Sequence, residues 1–353
     1  MTDETINIEG AVCTPSLSHN EQIVMGHGAG GRMSHQLIQK MFVPAFQNSA
    51  LQAGDDAALV MPEHGRLSIS TDAHVVFPLF FPGGDIGKLA ICGTVNDVAM
   101  LGAKPLYITA GFILEEGLPM ETLKRVVESM RAAAEEAGVQ IVAGDTKVVQ
   151  RGKADGLYVT TAGVGVVREG VNISGANAKV GDAVILSGSI GDHGIAVLGA
   201  RGELGFESSI QSDVAPLNHL INDMLNVSSN IHVLRDPTRG GLATSLTEIA
   251  AQSKIGILLN EQSISVHPEV NAACEMLGFD PLYVANEGKL IAIVAKEDAE
   301  KVLAVMKRTR YGEDSVVIGE VQESLKGRVL LKTAYGTTRV IDMLAGEMLP
   351  RIC

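Results

Sequence analysis

The sequence predicts a two-domain α/β protein built on mixed sheets, and three observations carry that reading. At 353 residues the chain is too long for one small core. Apolar strand segments and helical stripes interleave without the strict alternation of a doubly wound parallel sheet. A polar, glycine-containing stretch at 168–181, "REGVNISGANAKVG", separates two such runs and reads as a domain boundary.

The elements follow in order. Residues 1–22 lack periodicity and are expected to form a disordered arm. An N-terminal domain is expected over 23–168. It opens on "GHGAGGR", four glycines within Gly26–Gly31, ahead of helically spaced Met33, Leu37, Met41 and Phe42. "RLSISTD" alternates Leu67, Ile69 and Thr71 as a strand does, and ends on Asp72. "GGDIGKLAICGTVNDVAMLGAKP" reads as a small-residue helix closed before Pro105, and "LYITAGFIL" as the strand after it. "PMETLKRVVESMRAAAEEAG" is a helix from Pro119 to Gly138 with Leu123, Val126, Val127, Met130 and Ala134 along one face. "VQIVAGDTK" is expected to be a short buried strand entering a Gly-Asp-Thr turn, and "LYVTTAGVGVV" a further strand. A C-terminal α/β domain over 177–342 begins with "DAVILSG" and "SIGDHGIAVL". It continues through "RDPTRGGLATSLTEIAAQS", "LIAIVA", "KEDAEKVLAVMKR", "SVVIGEV" and "RVLLK". The tail 343–353, "MLAGEMLPRIC", holds Gly346 and Pro350, has no helical stripe, and is expected to be mobile.

The composition bounds the chemistry. With 46% hydrophobic residues, no Trp, five Tyr and eight Phe, the core must be aliphatic. A net charge of −13 and the absence of any Lys/Arg run argue against nucleic acid. They leave room for a nucleotide whose phosphates are offset by Mg²⁺ on aspartates. Four scattered cysteines, Cys13, Cys92, Cys274 and Cys353, give neither a disulfide framework nor zinc spacing. The acidic "MTDETINIEG" start is no signal peptide, and no apolar run reaches membrane length, so a cytoplasmic protein is expected. Cys353 is the last residue rather than the fourth from the end, so it fails the prenylation pattern.

Acidic residues recur at strand ends and turn mouths: Asp55 and Asp56 in "GDDAALV", Asp72 in "STD", Asn96 and Asp97 in "VND", Asp145 in "AGDTK", Asp236 in "LRDPTRGG". One Asp beside Gly is ordinary turn or cap chemistry. Five such sites at sheet edges together favour an oxygen-rich metal–phosphate site. "GHGAGGR" is suited to cradling phosphates through backbone N–H groups, though it is neither a P-loop nor a dinucleotide fingerprint. Lys147 and Glu287, in "AGDTK" and "VANEGKL", are either surface charges or an acid/base pair beside that site. Cys353 has Arg351 to favour its thiolate and the chain's own carboxylate to oppose it, and an irregular tail long enough to visit a pocket.

Taken in order, "HGAGGRMSHQLI", "DDAALV", "STDAHVVFPLFFPGGDIGKLAICGTVNDVAMLGAKP", "GFILEEGLPMETLK", "AGDTKVVQRG", "GDHGIAVL", "LRDPTRGGLATSLTE", "ANEGKL" and "LPRIC" resemble the HypE family of hydrogenase maturation proteins. The Asp-bearing segments are shared with the wider superfamily of aminoimidazole ribonucleotide synthetase, selenophosphate synthetase and thiamine-phosphate kinase. The resemblance runs from about residue 23 to the end and leaves Cys13 and the first twenty-odd residues unmatched. It implies a two-domain PurM-like fold whose N-terminal domain forms a homodimer, with ATP in a cleft near the interface. It implies that a carbamoyl group delivered by the carbamoyltransferase HypF is placed on Cys353. ATP-dependent dehydration then yields a thiocyanate, whose cyanide passes to iron on a HypC–HypD complex for [NiFe]-hydrogenase. It implies nucleotide contacts from Gly30, Gly31, Asp56, Asp72, Asn96, Asp97, Asp145, Thr146 and Asp236, with Mg²⁺ on Asp56, Asp72, Asp97, Asp145 and Asp236. The catalytic roles fall on Cys353, Lys147 and Glu287. Two other readings are a selenophosphate-synthetase-like ATP enzyme, whose reactive residue would sit in the glycine segment where this chain has no cysteine, and a non-catalytic cysteine carrier.

Overall fold

A computed structural model describes residues 31–37, 39, 58–60, 65–202, 209–346 and 348–353. Cys13, the arm 1–22, Gly30 and Asp56 lie outside the described residues. In the first half are helices α1 (Arg32–Leu37), α2 (Ile86–Met100) and α3 (Met120–Ala137). Its strands are β1 (Ala58–Val60), β2 (Leu67–His74), the short pair β3 (Phe80–Phe81) and β4 (Gly84–Asp85), β5 (Ala103–Glu115), β6 (Gln140–Val149) and β7 (Leu157–Val167). Five of them form one sheet in the order β1-β2-β7-β5-β6, with β5 and β6 parallel.

Helix α2 is the pivot of the molecule. Asp85 caps it, accepting from the backbone N–H of Gly87 at 2.7 Å and of Lys88 at 3.1 Å, which satisfies two orphan donors of its first turn. Small residues let it lie hard against the sheet: a Cβ on Gly163 would meet Thr94 Cγ2 at 2.6 Å, and one on Gly165 would meet Val98 Cγ1 at 2.6 Å. Its far end packs Ala99 and Met100 into the core of the second half, beside Ile185, Leu217 and Leu220. Helix α3 covers the same face with Val126, Met130 and Ala134 buried, and ends where Gly138 takes φ 71°. Val127, adjacent to Val126 in the chain, points the other way and is exposed.

The second half carries strands β8 (Ala183–Leu186), β9 (Ile231–Arg235), β10 (Gly256–Asn260), β11 (Ile291–Val294), β12 (Val316–Gln322), β13 (Arg328–Lys332) and β14 (Thr338–Ile341). They form one sheet in the order β14-β13-β10-β12-β8-β11-β9, antiparallel except between β10 and β13. Around it lie α4 (Asp192–Ala200), α5 (Asn218–Val227), α6 (Gly241–Ser253), α7 (Pro268–Leu277) and α8 (Ala299–Met306). All four residues of β11 are buried, which is why "IAIV" is a continuous apolar run. Among the described residues no helix is long and apolar enough to cross a membrane.

Three features depart from the sequence expectations. Segment 140–149 does not turn at Gly144–Thr146 and is not buried. It is a ten-residue edge strand that runs straight through, pairing Asp145 with Gly111, Thr146 with Phe112 and Lys147 with Ile113. The alternating Leu67, Ile69 and Thr71 of β2 look away from α2, while Ser68 and Ser70 are the buried set. Those serines are accommodated because each donates a hydrogen bond, Ser68 Oγ to Val98 O at 3.1 Å and Ser70 Oγ to Asp97 Oδ2 at 2.7 Å. The third departure is the tail, which is docked rather than loose.

Candidate active site around the terminal cysteine

The tail enters along Arg32, whose backbone N–H donates to Leu344 O at 2.9 Å. Gly31 packs on the same stretch, since a Cβ there would collide with the carbonyls of Leu344 and Gly346. The glycine expected to cradle phosphate therefore makes room for the tail. Beyond it, Leu349 lies against Gly194 of α4, and Ile352 is buried in the core of the first half with Val76, Phe81 and Ile86. Burying one such side chain is worth about 1.5–3 kcal/mol. The backbone N–H groups of Val75 and Phe77 donate to Cys353 O at 3.0 Å and Arg351 O at 3.2 Å. Both bonds run from the segment just past the end of β2 to carbonyls of the tail. Arg351 pairs with Asp155 and lies over the ring of Phe77.

Cys353 thus ends in the cleft between the two halves. Burial pushes its thiol up to about 12, with Arg239 opposing and Glu287 and Asp72 reinforcing the rise. Arg239 sits among Cys353, Asp72, Glu287 and Asp97, and these hold it firmly protonated. Asp236 is buried and raised to about 6, chiefly by desolvation, with Arg235 opposing and Asp72 adding to it. Glu287 is raised well above the usual carboxylate range by burial and by Asp72, Asp236 and Asp213, with Arg239 opposing. Among the described residues its Oε1 is buried without a hydrogen-bond partner. His74 is also buried, its Nε2 at 3.3 Å from Thr161 Oγ1 and 3.6 Å from Asp72 Oδ2, and desolvation lowers its pKa.

Loops of the second half set this geometry. Asn286 fixes the segment that presents Glu287: its Oδ1 accepts from Gly191 N at 2.7 Å and its Nδ2 donates to Pro237 O at 2.9 Å. Asp213 receives the N–H of Glu287 at 3.1 Å and of Gly288 at 3.3 Å. The loop 236–240 holds Asp236 and Arg239 at the entrance of α6, with Gly240 at φ 78° and Gly241 at φ 61° forming the bend. A Cβ on Gly241 would strike the backbone of 282–284, so the loop closes only with glycine there.

Of the residues expected at the site, the structure gathers Asp72, Asp97, Asp236, Glu287 and Cys353. Asn96 is not among them. Its amide is committed to the join between the halves, Nδ2 donating to Ala215 O at 3.0 Å and Oδ1 accepting from Leu217 N at 2.8 Å. Asp145 and Lys147 form a 2.8 Å ion pair on exposed β6. Three strand spacings separate β6 from β2, about 14 Å, so neither is assembled with Cys353 by this chain alone. Arg239 and His74 were not singled out from sequence. The one signal for Arg239 was its place in the same glycine-bounded loop as Asp236.

The terminal cysteine thus lies among acids and Arg239 where two α/β halves meet, in the two-domain architecture of AIR-synthase-related proteins. Both halves are AIR synthase related: the N-terminal domain of that family matches residues 54–167 and the C-terminal domain residues 179–332. The carbamoyl dehydratase HypE of Cupriavidus necator H16 is 58% identical over 333 residues, 94% of this chain and 95% of that protein. Among solved structures, a HypE–HypF complex matches with TM-score 0.83 and 52% identity over 87% of this chain and 99% of that one. A HypE structure in complex with ATP matches with TM-score 0.79 and 49% identity over 94% and 100%. The chain belongs to the HypE family of carbamoyl dehydratases.

Proposed function

We propose that Cys353 carries a carbamoyl group into this cleft and that Glu287, Arg239 and the acidic cluster act on it there. The enzyme is an ATP-dependent carbamoyl dehydratase of hydrogenase maturation. The observation that carries the residue-level reading is the docked tail, which places the terminal sulfur among Arg239, Glu287 and Asp72.

The chemistry follows from what those groups can do. An amide oxygen is a poor leaving group until it is phosphorylated. The carbonyl oxygen of the S-carbamoyl group attacks the γ-phosphorus of ATP, ADP leaves, and the nitrogen gives up one proton. Loss of the second N–H proton as the C–O bond breaks expels phosphate and leaves S–C≡N on Cys353. The net change is removal of one water, taken up in converting ATP to ADP and phosphate. Arg239 offsets charge that develops on the transferred group. Glu287, poorly solvated and unpartnered at Oε1, is a strong base when ionised and accepts an N–H proton.

Magnesium would accompany ATP. The oxygen donors Asp72, Asp97 and Asp236 suit a hard cation, and the unpartnered Glu287 Oε1 marks a site with unmet demand for positive charge. Among the described residues no group of three or more His, Cys, Asp or Glu side chains is arranged to hold a metal ion, and Asp56 lies outside them. Bound at the aspartates, Mg²⁺ would neutralise the phosphates and orient the γ-phosphoryl group.

The docked thiol, protonated and desolvated, is a poor nucleophile at neutral pH, so loading takes place with the tail out of the cleft. Loading falls to a carbamoyltransferase of the HypF kind, and the cyanide passes to iron on a HypC–HypD complex. A reducing cytoplasm suits a free terminal thiol.

A homodimer completes the site. One face of the first sheet is uncovered and carries Ile69, Tyr107, Ile113 and Val166, while its edge strand β6 exposes Ile141, Val142 at 54% and Val148 at 67%. An apolar edge of this kind is normally paired. Pairing with a second copy would bring Asp145 and Lys147 to the partner's cleft. The test is complementation. Cys353→Ala and Lys147→Ala homodimers should each lack carbamoyl-dependent phosphate release. Mixing them should restore part of it, because one hybrid site joins an intact Cys353 to an intact Lys147 of the partner subunit. No recovery in verified hybrid dimers would remove Lys147 from the reaction across the interface.

A further inference from the structure

The last carbonyls of the chain are held by two side chains of the second half that the reaction itself does not use. Arg201, at the end of α4, donates through Nη2 to both Pro350 O and Arg351 O at 2.6 Å, and through Nε to Phe77 O at 2.7 Å. One planar guanidinium therefore spans the tail and the segment it pairs with, a fork geometry that Lys cannot reproduce. His193, near the start of the same helix and fully buried, lies with Nε2 at 2.7 Å from Ile352 O and Nδ1 at 2.8 Å from Ser212 Oγ.

The partners fix the histidine's tautomer. A carbonyl oxygen only accepts, so Nε2 carries the proton and donates to Ile352. Nδ1 then accepts from the Ser212 hydroxyl, whose oxygen takes the N–H of Val214 at 3.1 Å. Every group in the relay is satisfied when the tail is in place, and Nε2–H loses its partner when the tail leaves.

We propose that Arg201 and His193 form a clasp that reads the backbone carbonyls of residues 350–352 and sets the docked position of Cys353. The clasp's hydrogen bonds to the tail go to backbone carbonyls, which are the same in a free, carbamoylated or cyanylated tail, so it holds all three in one register. It is thus a pair of positioning residues for the dehydration: it governs how often the loaded sulfur is presented, while Arg239 and Glu287 act on what is presented. Both side chains sit on one short helix, so a shift of that helix would release the tail as a unit.

The consequence is measurable without any carbamoyl chemistry. In the docked state Cys353 is only partly exposed, so a rise in its alkylation rate reports a larger fraction of undocked tail. Iodoacetamide labelling at neutral pH, followed by mass spectrometry of the peptide released after Glu347, separates Cys353 from Cys13, Cys92 and Cys274. Arg201→Ala should raise the Cys353 rate at least about tenfold, since both hydrogen bonds from this charged group to the tail carbonyls are lost. Arg201→Lys, which keeps the charge but not the fork, should fall between that variant and the unaltered protein. Equal rates in all three would overturn the clasp. A second arm rests on the dehydration reading: Arg201→Ala should lower turnover of a carbamoylated tail while ATP affinity stays unchanged, and full turnover would show that docking position is not set by Arg201. Labelling does not depend on the reaction, so failure of the clasp and failure of the proposed chemistry give different results.

Discussion

Replacing Cys353 by Ala abolishes carbamoyl-dependent ATP consumption while the fold and ATP binding persist. The expectation follows from how the tail is held. Ile352 remains buried in the first core, Arg351 keeps Asp155 and Phe77, and the carbonyls of 350–353 keep their donors. What disappears is the one atom that can carry cargo. Removing it should therefore leave an intact cleft with nothing to dehydrate, and the loss should be complete rather than graded. Phosphate release measured with and without a carbamoyl donor checks this, with ATP affinity measured on the same preparation. Carbamoyl-dependent turnover that persists in this variant would detach the tail from the chemistry.

The second large effect belongs to Glu287. Glu287→Gln keeps the shape of the side chain and removes only its capacity to accept a proton. Burial and the neighbouring Asp72, Asp236 and Asp213 already favour the neutral form of Glu287, so the neutral glutamine should fold without strain. Loss of a positioned general base typically costs about 10²–10⁴-fold in rate. We expect a fall of that order in single-turnover conversion of a pre-carbamoylated tail. Carbamoylation itself should be unaffected, because in the proposed order of steps it precedes docking of the tail. A variant that dehydrates at the unaltered rate would reduce Glu287 to a structural acid.

Some of this was legible in residues alone, for physical reasons. Helices α2 and α3 were plain because their boundaries carry local signals: Pro105 beyond the end of α2, and Pro119 and Gly138 at the two ends of α3. Of the acidic residues that do gather, Asp236 sits where a strand meets a loop, as expected, whereas Asp72 lies within β2 and Asp97 within the last turn of α2. Asp145 looked the same and is different. "AGDTK" carries the chemistry of a turn, yet pairing with β5 carries the strand straight through it, and only the neighbouring strand decides that. Asn96 stood beside Asp97 and read as a ligand, but its amide serves the carbonyl of Ala215 and the N–H of Leu217, over a hundred residues away in the chain.

The tail shows the same limit most clearly. Gly346 and Pro350 with no apolar period read as mobile, because docking is achieved through backbone carbonyls, which every sequence has. The tail's apolar anchors, buried Ile352 with Met348 and Leu349 partly buried before it, are too few and too irregularly spaced to make a pattern. Arg201 and His193 are likewise silent in sequence, since the groups they bind lie about 150 residues further on.

The account rests on Cys353 being loaded outside the cleft and dehydrated inside it. Intact mass of the C-terminal peptide 348–353 tests this most directly, after incubation with a HypF-type carbamoyltransferase and carbamoyl phosphate, then ATP and Mg²⁺. The predicted result is a gain of one carbamoyl group on Cys353, followed by loss of one water only when ATP is added. A tail that never gains the carbamoyl group, or one that gains it and keeps its full mass after ATP is consumed, would contradict the account.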